Sequence, residues 1–361
     1  MEEIINKLRL HLEQDLPFVI YCKPGSTTLI GVFQSMPHVY DYKPDTAGFV
    51  FAPFADNKEL FIPSEAATVL ITECDSSVTV PEAPLQLPPI DQKAKADFEA
   101  LVAKSVAAIG KGKFEKLVCS RTEEITFGSI DVVEVFKTML QAYPNAFRYC
   151  FFDPRAGLWM GATPEQLLKI DGNTIYTVAL AGTKPFKEGE AVWPEKEQQE
   201  QRFVTDYIME ELNPYVDNAE AGKPYTFRAG NIVHIKTDIR AELKDTTNVK
   251  DVIDALHPTP AVCGLPKAEA QKFLLENEGY DRGYYSGYLG EINTDFCTGE
   301  GGKTDLFANL RCMKIEDNTA HLYIGCGITK DSDPEKEFIE TVNKSITMRK
   351  VLPGKNLLTR E

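Results

Sequence analysis

The chain has 361 residues, 43% hydrophobic and 26% charged, with 24 Gly and 22 Pro and no low-complexity block. That is the make-up of a folded protein with one large domain or two smaller ones, and it excludes a fibre or a wholly disordered chain. Asp and Glu outnumber Lys and Arg by 54 to 39, a formal charge of -15, which sets a general field against nucleic-acid phosphate.

No apolar run approaches the roughly 20 residues that cross a bilayer. The start, Met1-Glu2-Glu3-Ile4-Ile5, lacks the basic region and apolar run of an export signal. A cytoplasmic protein without nucleic-acid or membrane partners is expected. Eight cysteines, at 22, 74, 119, 150, 263, 297, 312 and 326, make no Cys-x-x-Cys pair, so reduced thiols are expected and neither a zinc site nor a disulfide scaffold is supported.

The first 90 residues read as an amphipathic helix followed by short strands such as Phe18–Tyr21 and Val69–Ile71. Pro81, Pro84, Pro88 and Pro89 then predict an extended connector and a subdomain boundary. Phe98, Leu101, Val102, Ser105, Val106 and Ile109 keep helical spacing up to Gly110, and a strand follows over Lys116–Arg121. A helix is predicted over Asp131–Ala142, then strands over Arg148–Phe152, Leu158–Gly161, Leu167–Ile170 and Thr174–Val178. A long helix runs from about Glu195 to Leu212. Strands near Ile232–Ile239, Gly287–Asn293, Ala308–Ile315 and Ala320–Gly325 precede a last helix, Pro334–Leu352. Short links between strands favour antiparallel pairing and an α+β fold over a doubly wound parallel sheet.

Thr298-Gly299-Glu300-Gly301-Gly302-Lys303-Thr304 mimics a phosphate-binding loop. It lacks the leading glycine, since position 297 is Cys, and a strand follows it instead of a helix. A glycine-rich hairpin loop is the better reading, and nucleotide hydrolysis is discarded.

Several charged residues stand where they are costly. In the helix from Glu195, Glu200 lies one turn before the apolar stripe of Phe203, Val204, Tyr207, Ile208 and Leu212, where a carboxylate needs a cation or donor. A solvated glutamate near a helix start is the plainer alternative. Glu340 and Lys344 stand one turn apart on the last helix, which an ordinary ion pair also explains. Gly325-Cys326-Gly327 before it reads as a turn whose amides could meet an anion. Lys116 alternates with apolar residues, an environment that can lower a lysine pKa enough for it to act as a base. Glu165 follows a strand within Gly161-Ala162-Thr163-Pro164-Glu165, with a plain surface turn equally open.

Taken in order, these segments resemble the chorismate-utilising enzymes, which include isochorismate, salicylate, anthranilate and aminodeoxychorismate synthases. The matching pieces are KLVCSR at 116–121, GATPE at 161–165, LAGT at 180–183, Glu200, HPTPAVCGLPK at 257–267, DRGYYSGYLGE at 281–291, Arg311, GCGI at 325–328, and Glu340 with Lys344. The likeness spans about Lys93 to Leu352 and is weaker over the first 90 residues. It implies a single composite α+β domain of two large stacked antiparallel sheets flanked by helices. Residues 1–90 would complete the fold, and 91–361 would be the chorismate-binding catalytic region. Ser286, where the family often has Ala, and Cys263 are departures that read as packing variants.

Within the resemblance, anthranilate synthases carry Gln at the Lys116 position, and aminodeoxychorismate synthases carry a catalytic Lys where this chain has Ala181. The expectation is therefore water addition at C2 of chorismate with loss of the C4 hydroxyl, giving isochorismate. Lys116 would be the general base, kept partly neutral by burial and a nearby cation, and Glu165 the general acid with raised pKa. The resemblance puts Mg²⁺ between Glu200 and Glu340, over the ring carboxylate. It gives Arg311, Lys344 and the amides near Gly325 and Gly327 to the enolpyruvyl carboxylate. Gly182, Thr183, His257 and Ala261 become ring-side and hydroxyl contacts, with a structural role for His257 nearly as well supported. A salicylate synthase, which adds pyruvate elimination, and a catalytically silent chorismate-binding module are the alternatives. A monomer is the default.

Overall fold

The computed structural model describes residues 1–43, 45–56, 58–74, 90–185, 192–229 and 232–353. The expected proline connector lies outside the described residues. The chain opens with helix α1 (Glu2–Glu13) and strands β1 (Phe18–Cys22), β2 (Thr28–Gln34), β3 (Gly48–Ala52), β4 (Leu60–Pro63) and β5 (Ala67–Glu73). Helix α2 (Gln92–Gly110), β6 (Lys116–Thr126) and α3 (Val132–Ala142) follow, then β7 (Phe147–Asp153), β8 (Gly157–Thr163), β9 (Gln166–Asp171) and β10 (Thr174–Pro185). After α4 (Glu195–Leu212) come β11 (Val216–Ala221), β12 (Tyr225–Ala229), β13 (Ile232–Leu243) and α5 (Val249–Leu256). The two-residue β14 (Gly264–Leu265), α6 (Lys267–Asn277), β15 (Tyr288–Ile292), β16 (Lys303–Ala308), β17 (Cys312–Glu316), β18 (Thr319–Ile328) and α7 (Pro334–Arg349) complete the chain.

These strands form two sheets. The first runs β14-β6-β18-β17-β8-β7-β1-β2-β5 and the second β11-β13-β10-β9-β16-β15-β3-β4, with β12 also on β13. Neighbouring strands such as β6 and β18, or β10 and β13, pair antiparallel. The α+β arrangement follows from alternation on strands buried on both faces. On β1, Phe18, Ile20 and Cys22 meet α1 and α3 through Ile4, Leu8, Phe136 and Met139. Val19 and Tyr21 point the other way, into an aromatic layer between the sheets. That layer is tightly stacked: Phe147 and Phe307 have ring centroids 4.4 Å apart, and Phe51 and Phe151 4.5 Å.

Outer helices cover the remaining faces. Val204, Ile208 and Leu212 of α4 and Val252, Ile253 and Leu256 of α5 pack on β10 and β13. Phe98 and Val102 of α2, Leu274 of α6 and Phe338 of α7 pack on Leu117, Cys119, Cys326 and Ile328 of β6 and β18. Helix starts are set locally: Asp91 and Asp131 each accept a first-turn N–H at 2.8 Å and 2.9 Å, and Asp333 accepts one at 3.0 Å before Pro334.

The structure departs from the sequence reading in three places that matter for the site. The strand expected over Ala308–Ile315 is two strands in different sheets, because Asn309–Arg311 carries the chain from the second sheet to the first with Arg311 at φ 48°. Gly325-Cys326-Gly327 is not a turn but lies within β18, paired to Ser120, Cys119 and Val118 of β6. On α4, Phe203 is exposed and Gln201 takes the inner position, its Nε2 donating to Thr237 Oγ1 at 2.6 Å and to Thr205 Oγ1 at 2.8 Å. The rejected glycine-rich segment links antiparallel β15 and β16, and a strand follows it.

Candidate active site

One cleft of about 360 Å³ gathers most of the residues singled out above. Lys116, Glu165, Gly182, Glu200, Ala261, Arg311, Gly325, Gly327, Glu340 and Lys344 all line it, as does Ala181. One of the expected contacts is not on its wall. His257 lies outside the lining, its Nε2 3.2 Å from the Pro53 carbonyl oxygen and its ring edge-on to Tyr288 at 4.9 Å. Thr183 pairs with His234 in the β10–β13 ladder, and its side chain lies outside the described part.

The floor is made where the chain passes between sheets. Pro164–Glu165 carries it from β8 in the first sheet to β9 in the second, and Asn309–Arg311 carries it back from β16 to β17. Backbone bonds tie the two crossings together: Ala308 N–H donates to Glu165 O at 2.9 Å and Ala162 N–H to Arg311 O at 3.0 Å. Thr163 Oγ1 donates to Ala308 O at 2.6 Å. Fully buried Asn309 braces them, accepting from Tyr149 Oη at 2.6 Å and donating to Tyr284 O at 2.9 Å. The left-handed conformation of Arg311 is strained for a non-glycine residue, a cost of about 1 to 3 kcal/mol that the bracing sustains.

Burial at this floor pushes the Glu165 carboxyl above its ordinary pKa, against the opposing pull of Arg311, Lys116 and Lys344. Lys116, the first residue of β6, reaches into the cleft from the wall, with Nζ 2.8 Å from Glu200 Oε1 on α4. Its charged neighbour is thus a carboxylate, where the sequence reading placed a cation. The two glycines of β18 make room here. A Cβ on Gly327 would stand 3.0 Å from Lys116 Cε, and one on Gly325 2.7 Å from Tyr285 Oη and 2.9 Å from Cys119 O. Glycine therefore clears the strand face for the lysine and for a ligand. On α7, Lys344 Nζ donates to Glu340 Oε1 at 2.7 Å and to Gly325 O at 3.0 Å.

Among the cleft residues that sequence reasoning missed are Glu197, Glu337, His234 and Tyr285. Glu197 and Glu337 each sit three positions before a carboxylate already singled out, so Glu-x-x-Glu occurs on both α4 and α7; the repeated spacing was a readable signal. Burial raises the Glu337 pKa, helped by Glu340. His234, with Nδ1 3.0 Å from Gly182 O, is driven down to about 4 mainly by burial, with Arg311 and Lys344 adding to the effect. Tyr285 completes the wall.

The donor set bears on a metal ion. Among the described residues no three potential ligands converge on a ready-made cage. Carboxylates from two helices nevertheless face one cleft, and Glu197 Oε2 is buried without a hydrogen-bond partner. All donors are hard oxygens. Such a site suits an ion held by one or two carboxylates and completed by water and substrate oxygens.

Comparison with known proteins agrees with this picture. A family model described as chorismate binding enzyme matches residues 50–353. A salicylate biosynthesis isochorismate synthase of Pseudomonas aeruginosa is 31% identical over 268 residues, 72% of this chain and 55% of that protein. Isochorismate synthase MenF of Bacillus subtilis is 30% identical over 276 residues, 72% of this chain and 56% of that protein. The chain thus spans a little over half the length of these two relatives. The solved structure of MenF, the menaquinone-specific isochorismate synthase of Escherichia coli, superposes with a TM-score of 0.77 at 19% identity, over 93% of this chain and 89% of that one. The fold is the one these enzymes share, and the chain belongs to the chorismate-binding enzyme family.

Proposed function

We propose that this protein is a Mg²⁺-dependent isochorismate synthase, an isomerase that adds water at C2 of chorismate and expels the C4 hydroxyl. The observation that carries the reading is the presence of Lys116, from β6, and Glu165, from the crossing between β8 and β9, on one cleft with a raised carboxyl pKa at Glu165. Ala181 on the same wall supports water over ammonia as the nucleophile.

The chemistry divides between the two groups. Lys116 accepts the proton that water loses as its oxygen attacks C2. Glu165, its pKa raised by burial, gives its proton to the C4 oxygen, so that the leaving group departs as water. Splitting acid and base lets the reaction run in both directions. Arg311 with its bidentate fork, Lys344, and the backbone near Gly325 and Gly327 orient the enolpyruvyl carboxylate. Gly182, Thr183 and Ala261 stand on the ring side. Glu200 and Glu340 are the residues that would hold Mg²⁺, and the ion would offset the charge of the ring carboxylate in a site of otherwise negative field.

The test is chromatography of products after incubating purified protein with chorismate, with EDTA or with Mg²⁺, beside Lys116→Ala. Metal-dependent isochorismate, lost in the variant, is the expected result. Salicylate and pyruvate would move the protein to a salicylate synthase. Chorismate bound but unchanged would leave a silent binding module and overturn the reading.

A further inference from the structure

We propose that Cys22 and Cys74 form a reversible disulfide when the protein meets a hydroperoxide, a redox staple at the end of the β1–β2 hairpin. The two sulfurs are already in contact, 3.6 Å apart. The topology makes the pairing. Cys22 ends β1, which β2 separates from β5 in the sheet order. Directly after β5, Cys74 reaches the turn end of the hairpin, where its N–H donates to Thr27 O at 2.7 Å. There the Cys74 side chain reaches past β2 to Cys22. Both sulfurs then belong to the core between β1 and helices α1 and α3, with Cys22 buried and Cys74 partly exposed.

The surroundings favour reaction. The Arg148 guanidinium donates to the carbonyls of Lys23 and Ser26, both at 2.9 Å, in the turn beside the pair. The Arg148 charge favours a thiolate on either member of the pair. Cys74 is the more accessible thiol, as an attacking thiolate must be, and Cys22 stands in place to resolve it. In the first step the Cys74 thiolate attacks one peroxide oxygen, the O–O bond breaks, and Cys74 becomes a sulfenic acid as the alkoxide leaves and takes a proton. Cys22 then attacks the Cys74 sulfur, the S–O bond breaks, and water departs. Two thiols and one hydroperoxide give one disulfide, one alcohol and one water. The bond then formed is about 2.05 Å long, so the sulfurs must approach from 3.6 Å.

The experiment treats the full-length Cys297→Ser protein with hydrogen peroxide, since Cys297 is the exposed thiol. Alkylation, peptide mass spectrometry and thermal unfolding are read before and after dithiothreitol. Expected are a Cys22–Cys74 cross-linked peptide, loss of two thiols, and a rise in Tm that dithiothreitol reverses. Cys74→Ser should abolish all three. Cys22→Ala should leave a sulfenic acid at Cys74 that dimedone traps. Cys22 and Cys74 remaining fully alkylatable after oxidation, or an unchanged Tm beside over-oxidised Cys74, would overturn the proposal.

Discussion

Lys116 Nζ and Glu200 Oε1 stand 2.8 Å apart across the cleft, one on β6 of the first sheet and the other on α4 against the second. The candidate base and a candidate metal ligand are therefore one pair before substrate arrives, and the two halves of the fold meet through it. Removing either side separates their roles. Lys116→Ala should lower turnover about 10²- to 10⁴-fold, the range for a general base, with chorismate binding retained. Glu200→Gln should instead raise the Mg²⁺ concentration needed for half-maximal activity. Steady-state kinetics across a Mg²⁺ titration reads both, and equal metal dependence in wild type and Glu200→Gln would remove Glu200 from the metal site.

As the proposed general acid Glu165 must be protonated to act, and burial, the largest influence on it, raises its pKa. Activity should fall as pH rises through that raised value, so the alkaline side of the kcat profile reports Glu165. The sign for stability is the same. A carboxyl whose folded pKa exceeds its unfolded one stabilises the fold below the unfolded pKa, near 4.5, and that contribution is lost as pH rises through the folded value. Glu165→Gln should accordingly abolish turnover while leaving Tm at pH 8 equal to or above that of the wild type. A clear drop in Tm would count against a carboxyl held under desolvation.

How much of this site could be read from the sequence depended on whether the signal was local. Helix caps and long stripes were local, so α2, α3 and α7 fell near their predicted starts. Helix α5 was equally legible, with Asn248 as its cap and Val252, Ile253 and Leu256 as its stripe, yet it was overlooked. Arg311 was different: nothing in Ala308–Ile315 announces that the strand must change sheets, because the bracing comes from Tyr149 and Tyr284 far along the chain. Gly325 and Gly327 stand out in the sequence as amides open to an anion, and the structure adds a second reason for glycine there. Their lack of a Cβ serves a crowded strand face, and only the positions of Lys116 and Tyr285 show it. Chorismate chemistry itself came from the resemblance of ordered motifs, not from periodicity or composition.

His257 illustrates the limit of a motif. Its ring bonds the Pro53 carbonyl and packs on Tyr288 outside the cleft wall, and burial lowers its pKa to about 3. A histidine held neutral in this way supports the fold fully above its unfolded pKa near 6.5. That support drains away as pH falls from there toward 3. His257→Gln should flatten the loss of Tm between pH 6.5 and 4, with the KM for chorismate changed less than twofold. A large rise in KM with an unchanged pH–Tm slope would return His257 to the substrate.

Arg282 offers the sharpest link between packing and catalysis. It is 1% exposed and bonds Glu278 through Nε at 2.7 Å and Nη2 at 2.6 Å, in a pair as buried on the carboxylate side. Its remaining donors hold Val118 O at 2.6 Å and Val262 O at 3.0 Å, two carbonyls on neighbouring walls of the cleft. The guanidinium also stacks over Phe54 at 4.3 Å. One side chain thus fixes β6, which carries Lys116, against the loop that carries Ala261. Arg282→Met leaves the buried Glu278 carboxylate without its cation, held only by Ser120 N–H and Oγ at 2.8 Å, an expected loss of about 3 to 5 kcal/mol in chemical denaturation. Arg282→Lys keeps the charge but lacks the planar fork, so it should recover part of the stability and less of the activity. Kinetics with folded Arg282→Lys decide the point: a lower kcat with an unchanged circular dichroism spectrum is expected, and wild-type kcat would reduce Arg282 to a purely structural residue.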